Sequence, residues 1–257
     1  MFEKKELRKY ALALRYIQPG DAVIDAGAFE GYYSFLYSKL VGPNGKIFAF
    51  EPQPRAFELI SQEIRKRHTT NIVLSPCAVS SVPNRRISMK IYPHEANLGC
   101  TVEQSLMDAE RMPGHTALID VQTEALDQLM DSLNPHPLSL IKIDTEGHED
   151  QVLMGAQKLL QSFRPIVIME YGFIPNKFES NMIEIMGNMG FDCFDLTTME
   201  QVSPGYISAH TDLVALHRGR MEEFQRFLPQ LRSLPYPLLL KIFACKARLK
   251  ASKMLNQ

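Results

Sequence analysis

The sequence predicts a doubly wound α/β protein: a mostly parallel, seven-stranded sheet flanked by helices, with a helical C-terminal tail. Three observations predict it. The first 80 residues alternate short apolar runs with amphipathic segments in the order β-α-β-α-β, the signal for a parallel sheet with helices on its faces. The alternation resumes over residues 140–190 and ends in two further apolar runs, 191–197 and 212–218, that can pair as an antiparallel hairpin. The chain has 257 residues, 45% hydrophobic and 22% charged, which suits one α/β domain or one domain with an appendage.

Residues 2–17 place Leu7, Tyr10, Ala11, Leu14 and Ile17 on one helical face. A Gln18-Pro19-Gly20-Asp21 turn leads to a strand, AVIDAGA (22–28), and then a helix, YYSFLYSKL (32–40). VGPNG (41–45) turns the chain into the strand KIFAFEP (46–52). An amphipathic helix (54–68) and a third strand, NIVLSPCAVS (71–80), follow. Residues 85–93 alternate as a strand, 94–100 read as a loop, 101–112 as a helix or ordered flap, and 117–126 as a strand entering a helix. Regularity then returns with strand LIKID (140–144), one helix over 149–163, strand PIVIMEY (165–171) and a helix over 181–190. The expected organisation is a domain over 1–218, with 85–116 as a lid-like insertion, and a basic helical extension over 219–257.

The net charge of −1 gives no overall attraction to nucleic acid, and the body holds no aromatic-basic clusters. From Arg218 onward nine Lys/Arg face two Glu, so the tail is basic and the body acidic. Cys77, Cys100, Cys193 and Cys245 have neither zinc-knuckle nor redox-pair spacing and read as reduced thiols, which suggests a cytoplasmic setting. The charged start lacks the apolar core of a signal peptide, and no run approaches the length of a membrane span.

The chemistry sits at the strand tips. In doubly wound sheets, ligands bind outside the carboxyl ends of the strands, where the winding reverses. The first strand ends in Asp25-Ala26-Gly27-Ala28-Phe29-Glu30-Gly31. Its glycines permit a tight turn and close ligand approach. The pattern is G-x-x-x-G rather than G-x-G-x-x-G and lacks a phosphate-binding Lys, so it suits a nucleoside without pyrophosphate and counts against a nicotinamide-dependent oxidoreductase. Glu51 ends the second strand, where an acid can accept hydrogen bonds from ribose hydroxyls. Small residues at Cys77-Ala78 leave room for a flat base at the third tip. LIKIDTEGHEDQVL (140–153) brings Asp144, Glu146 and His148 to the same rim. Glu149 and Asp150 fall in the first helical turn, where acids complement the helix dipole. The preceding trio is a candidate for acid–base chemistry or for a divalent ion, since Asp, Glu and His all ligate metals.

On these residues the chain resembles the FkbM family of S-adenosylmethionine (SAM)-dependent methyltransferases. The matching pieces are VIDAGAFEGYYS (23–34), FAFEPQP (48–54), NIVLSPCAVS (71–80), NLGCTV (97–102), VQTEALDQL (121–129), IKIDTEGHEDQVLMGAQKLL (141–160) and PIVIME (165–170), in the family's order. Phe29-Glu30 replaces an Asn usual in the first turn, and Pro76-Cys77 stands near a position that is often Asn. The resemblance implies a Rossmann-like methyltransferase sheet and methyl transfer from SAM to an oxygen of a sugar, glycolipid or secondary metabolite. Around the first turn it implies cofactor contacts from Asp25, Gly27, Ala28, Glu30, Gly31 and Ser34. Farther along the rim it implies Glu51 and Pro52 at the ribose, Cys77 and Ala78 at the base, and Asp144 near the methyl. His148 or Glu146 would be the general base, with the other orienting the acceptor. A SAM-binding protein with a decayed site is the non-enzymatic alternative. The insertion holds Tyr92, His94, Glu95, Asn97 and His115, which suit either a polar lid or a solvated loop. In the tail, Leu238, Ile242, Cys245 and Leu249 form one stripe and Lys246, Lys250 and Lys253 another. Such a helix docks on the body, on a second subunit of a homo-oligomer, or on an anionic membrane surface.

Overall fold

The structure, a computed structural model, describes residues 4–91, 100–102, 117–172, 181–208, 210–234 and 238. The polar residues expected in the lid at 92–97 and 115, and the tail helix proper, lie outside the described residues.

The elements in chain order are α1 (Lys4–Tyr16), β1 (Ala22–Ala26), α2 (Tyr32–Val41), β2 (Lys46–Phe50), α3 (Pro54–Lys66), β3 (Ile72–Ser75), β4 (Ala78–Val79), β5 (Arg86–Ile91) and β6 (Cys100–Val102). There follow β7 (Ala117–Glu124), a single 3₁₀ turn (Leu126–Leu129), β8 (Leu138–Ile143), α4 (Glu149–Met154), α5 (Gln157–Phe163) and β9 (Ile166–Tyr171). The described chain closes with α6 (Met182–Asn188), β10 (Phe191–Asp195), β11 (Gln201–Val202), β12 (Thr211–His217), a short 3₁₀ turn and α7 (Met221–Ser233).

The main sheet has the order β11-β10-β12-β9-β8-β1-β2-β3. Strands β3, β2, β1, β8 and β9 are parallel, and β12 inserts antiparallel between β9 and β10. The seven expected strands form this sheet, and the two-residue β11 extends its edge. The chain winds outward from β1 through β2 to β3, then crosses back to place β8 on the other side of β1. The winding therefore reverses between β1 and β8, which is where a crevice opens in such sheets.

Strand alternation divides the core. Val23, Ile47 and Leu140 point to one face and pack with α1, α2 and α7; Ile24, Phe48 and Ile141 point to the other and pack with α4, α5 and α6. Phe224, Phe227 and Leu231 of α7 belong to the first of these clusters, so the beginning of the C-terminal extension packs on the body. Helix α1 buries more than its apolar stripe. The Arg8 guanidinium donates to the carbonyls of Leu231, Leu196 and Thr197, and Lys9 pairs with Asp212 at 2.9 Å. These partners come from the far end of the chain, so no local pattern signals that the two cations are buried.

Three expectations need correction. The strand expected over 71–80 splits: β3 ends at Ser75 and β4 joins a second sheet of order β4-β7-β5-β6. Pro76 lies at the break, and proline cannot donate to a ladder. The helix expected after 117–126 is only the 3₁₀ turn. The helix expected over 149–163 breaks at Gly155, where a Cβ would lie 2.2 Å from the Ser80 carbonyl oxygen. Asp127 supports that break. Its N–H donates to the Gly155 carbonyl at 2.9 Å, and its carboxylate accepts from the Leu159 and Lys158 N–H groups at 2.9 and 3.2 Å, as a cap for α5. Asp127→Ala is expected to cost about 1 kcal/mol of stability in urea denaturation, and an unchanged midpoint would show that α5 needs no such cap.

Candidate active site

The tip of β1 meets the tip of β8 backbone to backbone. Gly27 has φ +79°, and a Cβ there would stand 1.8 Å from the Asp144 carbonyl oxygen. Glycine is required for both reasons. The turn is also tied to β2: Gly27 and Ala28 donate their N–H groups to the Phe50 carbonyl at 3.0 and 2.9 Å. Phe29 has φ +51°, a conformation Asn tolerates better than Phe. Its N–H nevertheless donates to Glu51 Oε2 at 2.7 Å, and its ring is 46% exposed at the rim. Glu30 is exposed beside it, and Gly31 opens α2 with φ +77°.

Glu51 is buried at the tip of β2, with Oε1 accepting from the Gln53 N–H at 2.9 Å and Oε2 from Phe29. Burial pushes its pKa up to about 7, against the pull of those two N–H groups. Each oxygen keeps a lone pair for a diol. Pro52 is half-buried next to it, Cys77 is half-buried at the third tip, and Ala78 is buried in β4.

Asp25 and Ser34 stand behind the turn. Both are fully buried, and the Ser34 hydroxyl donates to Asp25 Oδ2 at 2.6 Å. The cofactor contacts expected of Asp25 and Ser34 are corrected accordingly, because both side chains are buried behind the turn and committed to bracing α2 against β1.

The 144–149 turn is organised by Glu149, whose Oε1 accepts from the N–H groups of Thr145 and Gly147 at 2.7 and 3.2 Å and from the Thr145 hydroxyl at 3.1 Å. The helix-dipole explanation of Glu149 misses this. Glu146 and Gly147 both take positive φ, +55° and +96°, and for Glu146 this is backbone strain at a rim position. His148 does not join the acids. It is 8% exposed, and its Nε2 lies 3.0 Å from the Ser80 hydroxyl. The group brought together is instead Asp144, Glu146 and Glu170, whose carboxylate oxygens lie within 4.8 Å of one another. The Asp–Glu–His set considered for a metal is therefore not assembled.

Glu170 stands at the tip of β9 and was missed from sequence. The available signal was an acid ending a buried parallel strand, the same signal that marks Glu51 and Asp144. Lys142 was also missed, and its signal was a lone charge inside the apolar run of β8. Its Nζ lies 3.0 Å from the Gly27 carbonyl oxygen, 3.2 Å from Asp144 Oδ2 and 3.4 Å from Asp25 Oδ1.

These contacts separate the three acids electrostatically. Burial alone would raise Asp144, but Lys142, then Lys9, and hydrogen bonds from Lys142 and Glu170 outweigh it and hold Asp144 below the usual carboxylate range. Glu170 is pushed up to about 9 by burial and by repulsion from Asp144, Glu146, Glu149 and Asp212, so it carries a proton near neutrality. Glu146 opens to solvent, yet partial desolvation and repulsion from Asp144 and Glu149 push it up to about 7. One rim thus presents an ionised acid, a protonated acid and an acid that titrates near neutrality.

Because the β1–β8 contact leaves no room for a side chain, Gly27→Ala is expected to cost at least about 2 kcal/mol of stability in urea denaturation. A midpoint equal to that of the unmodified protein would show that the turn tolerates displacement.

The family model described as "Methyltransferase FkbM domain" matches residues 25–193, more than half of the chain. The chain is 27% identical over 161 residues to the 31-O-demethyl-FK506 methyltransferase FkbM of Streptomyces tacrolimicus, covering 55% of this chain and 61% of that protein. It is 26% identical over 157 residues to the hexuronic acid methyltransferase AglP of Haloferax volcanii, covering 61% and 59%. The chain thus spans about three fifths of the length of these relatives. The fold matches a solved Clostridium thermocellum structure assigned as an rRNA methylase, with a TM-score of 0.51, 13% identity, and coverage of 84% of this chain and 97% of that one. The chain belongs to the FkbM family of SAM-dependent methyltransferases.

Proposed function

We propose that the protein transfers the methyl group of SAM to a hydroxyl oxygen of a small-molecule or glycan acceptor: a sugar, a glycolipid or a secondary metabolite. The observation that carries this reading is Glu146, a carboxyl near pKa 7 beside Asp144 at the switch point of the sheet. The donor set fits a cationic nucleoside without phosphates. The 27–31 turn holds no cationic side chain, and carboxylates stand at the tips of β2, β8 and β9. Gly27, Ala28, Glu30 and Gly31 would line the amino-acid end of the cofactor, Glu51 and Pro52 its ribose, and Cys77 and Ala78 its base. Asp25 and Ser34 support the turn from behind.

When bound, SAM supplies a methyl group activated by the positive sulfur that carries it. The residues supply position and a proton acceptor. Asp144, held ionised, places negative charge at the rim, where it favours a positive centre. Glu146 takes the proton from the acceptor hydroxyl as that oxygen becomes a nucleophile; its strained, exposed backbone puts the carboxyl at the mouth rather than in the core. Protonated Glu170 donates to Asp144, so the two acids do not compete for a second proton. His148, through Ser80, fixes the start of α4 and thereby the 144–149 turn. The relative that is a 31-O-demethyl-FK506 methyltransferase supports oxygen as the acceptor atom, and the hexuronic acid methyltransferase supports a sugar-derived acceptor.

The test is a screen of labelled SAM against sugars, glycolipids and small alcohols, followed by Glu146→Gln on the acceptor found. A base acts when deprotonated, so turnover should rise with pH through about 7. The glutamine variant should lose about a hundredfold or more in turnover, lose that inflexion, and keep SAM affinity. A variant with unmodified turnover and the same pH profile would remove Glu146 from the chemistry.

A further inference from the structure

We infer that Lys142 is a positioning residue of the methyl-transfer site, the tie that holds the cofactor turn of β1 and the acid tip of β8 in one fixed relation. This inference rests on the reading that SAM binds at the Gly27–Asp144 rim.

Lys142 is 5% exposed and occupies the central strand β8, on the face where Leu140 packs into the core of α1 and α2. Its direct neighbour across the β1–β8 ladder is Asp25, which is fully buried. Burying such a pair costs several kcal/mol per ion before their attraction is counted, and a well-packed apolar pair is often as stable or more so. Stability alone is therefore a poor reason for a lysine here, where Leu140, Ile141 and Ile143 supply the strand with ordinary core residues.

Its placement supplies the reason. An ammonium has three N–H donors, and three oxygens lie within 3.4 Å of Lys142 Nζ: the Gly27 carbonyl, Asp144 Oδ2 and Asp25 Oδ1. Those oxygens belong to the turn, to the rim acid and to the strand behind both. The Tyr33 ring, 5.6 Å from Nζ to its centroid, covers the group from α2. One hydrogen bond, to the Gly27 carbonyl, and two ion pairs, to Asp144 and Asp25, commit the buried ammonium to the protein, so it acts through the groups it holds. The tie also matches a backbone requirement, because the Gly27 turn and the Asp144 carbonyl approach too closely for any side chain between them. The ammonium bridges Gly27 and Asp144 on the side-chain level just as their backbones touch.

A residue that acts through Asp144 loses its effect when Asp144 loses its charge, whereas a core residue does not. The test is a double-mutant cycle read by SAM affinity in titration calorimetry on the full chain, with Lys142→Met, Asp144→Asn and both together. K142M in the unmodified background is expected to weaken SAM by at least about tenfold, and in the D144N background by less than about threefold. Equal losses in both backgrounds, or a loss below about threefold in the first, would overturn the inference. K142M leaves a buried Asp25 without its partner. If it does not fold, K142M/D25N removes both charges, and the same comparison is made on it with and without D144N. Failure of the unmodified protein to bind SAM would instead remove the reading on which the inference rests.

Discussion

The tip of β1 touches the tip of β8 at a glycine, and the site depends on that contact. Gly27 turns away from β1 with its Cα pressed toward the Asp144 carbonyl, in a space that no side chain can share. The contact occurs at the switch point because the chain leaves β1 toward β2 and later returns on the opposite side as β8. Neighbouring parallel strands are about 4.8 Å apart, so a turn that folds back over the adjacent tip must come this close. The topology thus creates the crevice, and the glycine lets the two backbones line it together.

Such a contact would place two acids, Asp25 and Asp144, close together in a poorly solvated region. The alternatives are protonation, a bound cation, or a cation from the chain itself. Lys142 is that cation, and its pKa is raised because Asp144 and Asp25 outweigh the desolvation that would lower it. The effect extends to the rim. With Asp144 held ionised, Glu170 retains its proton and Glu146 is left to titrate near neutrality. Pairs of acids whose surroundings push their pKa values apart are a common basis for dividing acid and base roles. Here the division follows from which acids face the lysine, which face each other and which face solvent.

Much of this was legible in the sequence, for physical reasons that also mark its limit. The strands show as apolar runs, and the rim shows as the residues that end them: Gly27, Glu51 and Asp144 all stand where a buried run stops. Glu170 carries the same mark and belonged with them. The 149–163 segment reads as one helix because its periodicity is unbroken; the interruption comes from the approach of Ser80 to Gly155, a contact across about 75 residues of chain. His148 reads as a catalytic candidate by residue type and position, but its ring direction is set by Ser80, which no local pattern reveals. Arg8 and Lys9 give no local sign of burial because the Leu231, Leu196 and Asp212 groups that hold them lie far along the chain, and the Gly27 and Asp25 oxygens beside Lys142 are likewise more than 100 residues away. Long-range polar pairing is thus the part of this fold that spacing does not encode, and most of the site's electrostatics is of that kind.

The central claim is that the cofactor lies across the carboxyl rim between Glu51 and Asp144. A crystal structure of the protein soaked with S-adenosylhomocysteine tests it most directly. The ribose hydroxyls are expected on the Glu51 carboxylate, with the sulfur on the Asp144 side of the Gly27 turn. Density for the nucleoside elsewhere, with no ribose contact to Glu51 and the rim filled by the protein's own side chains, would contradict the account.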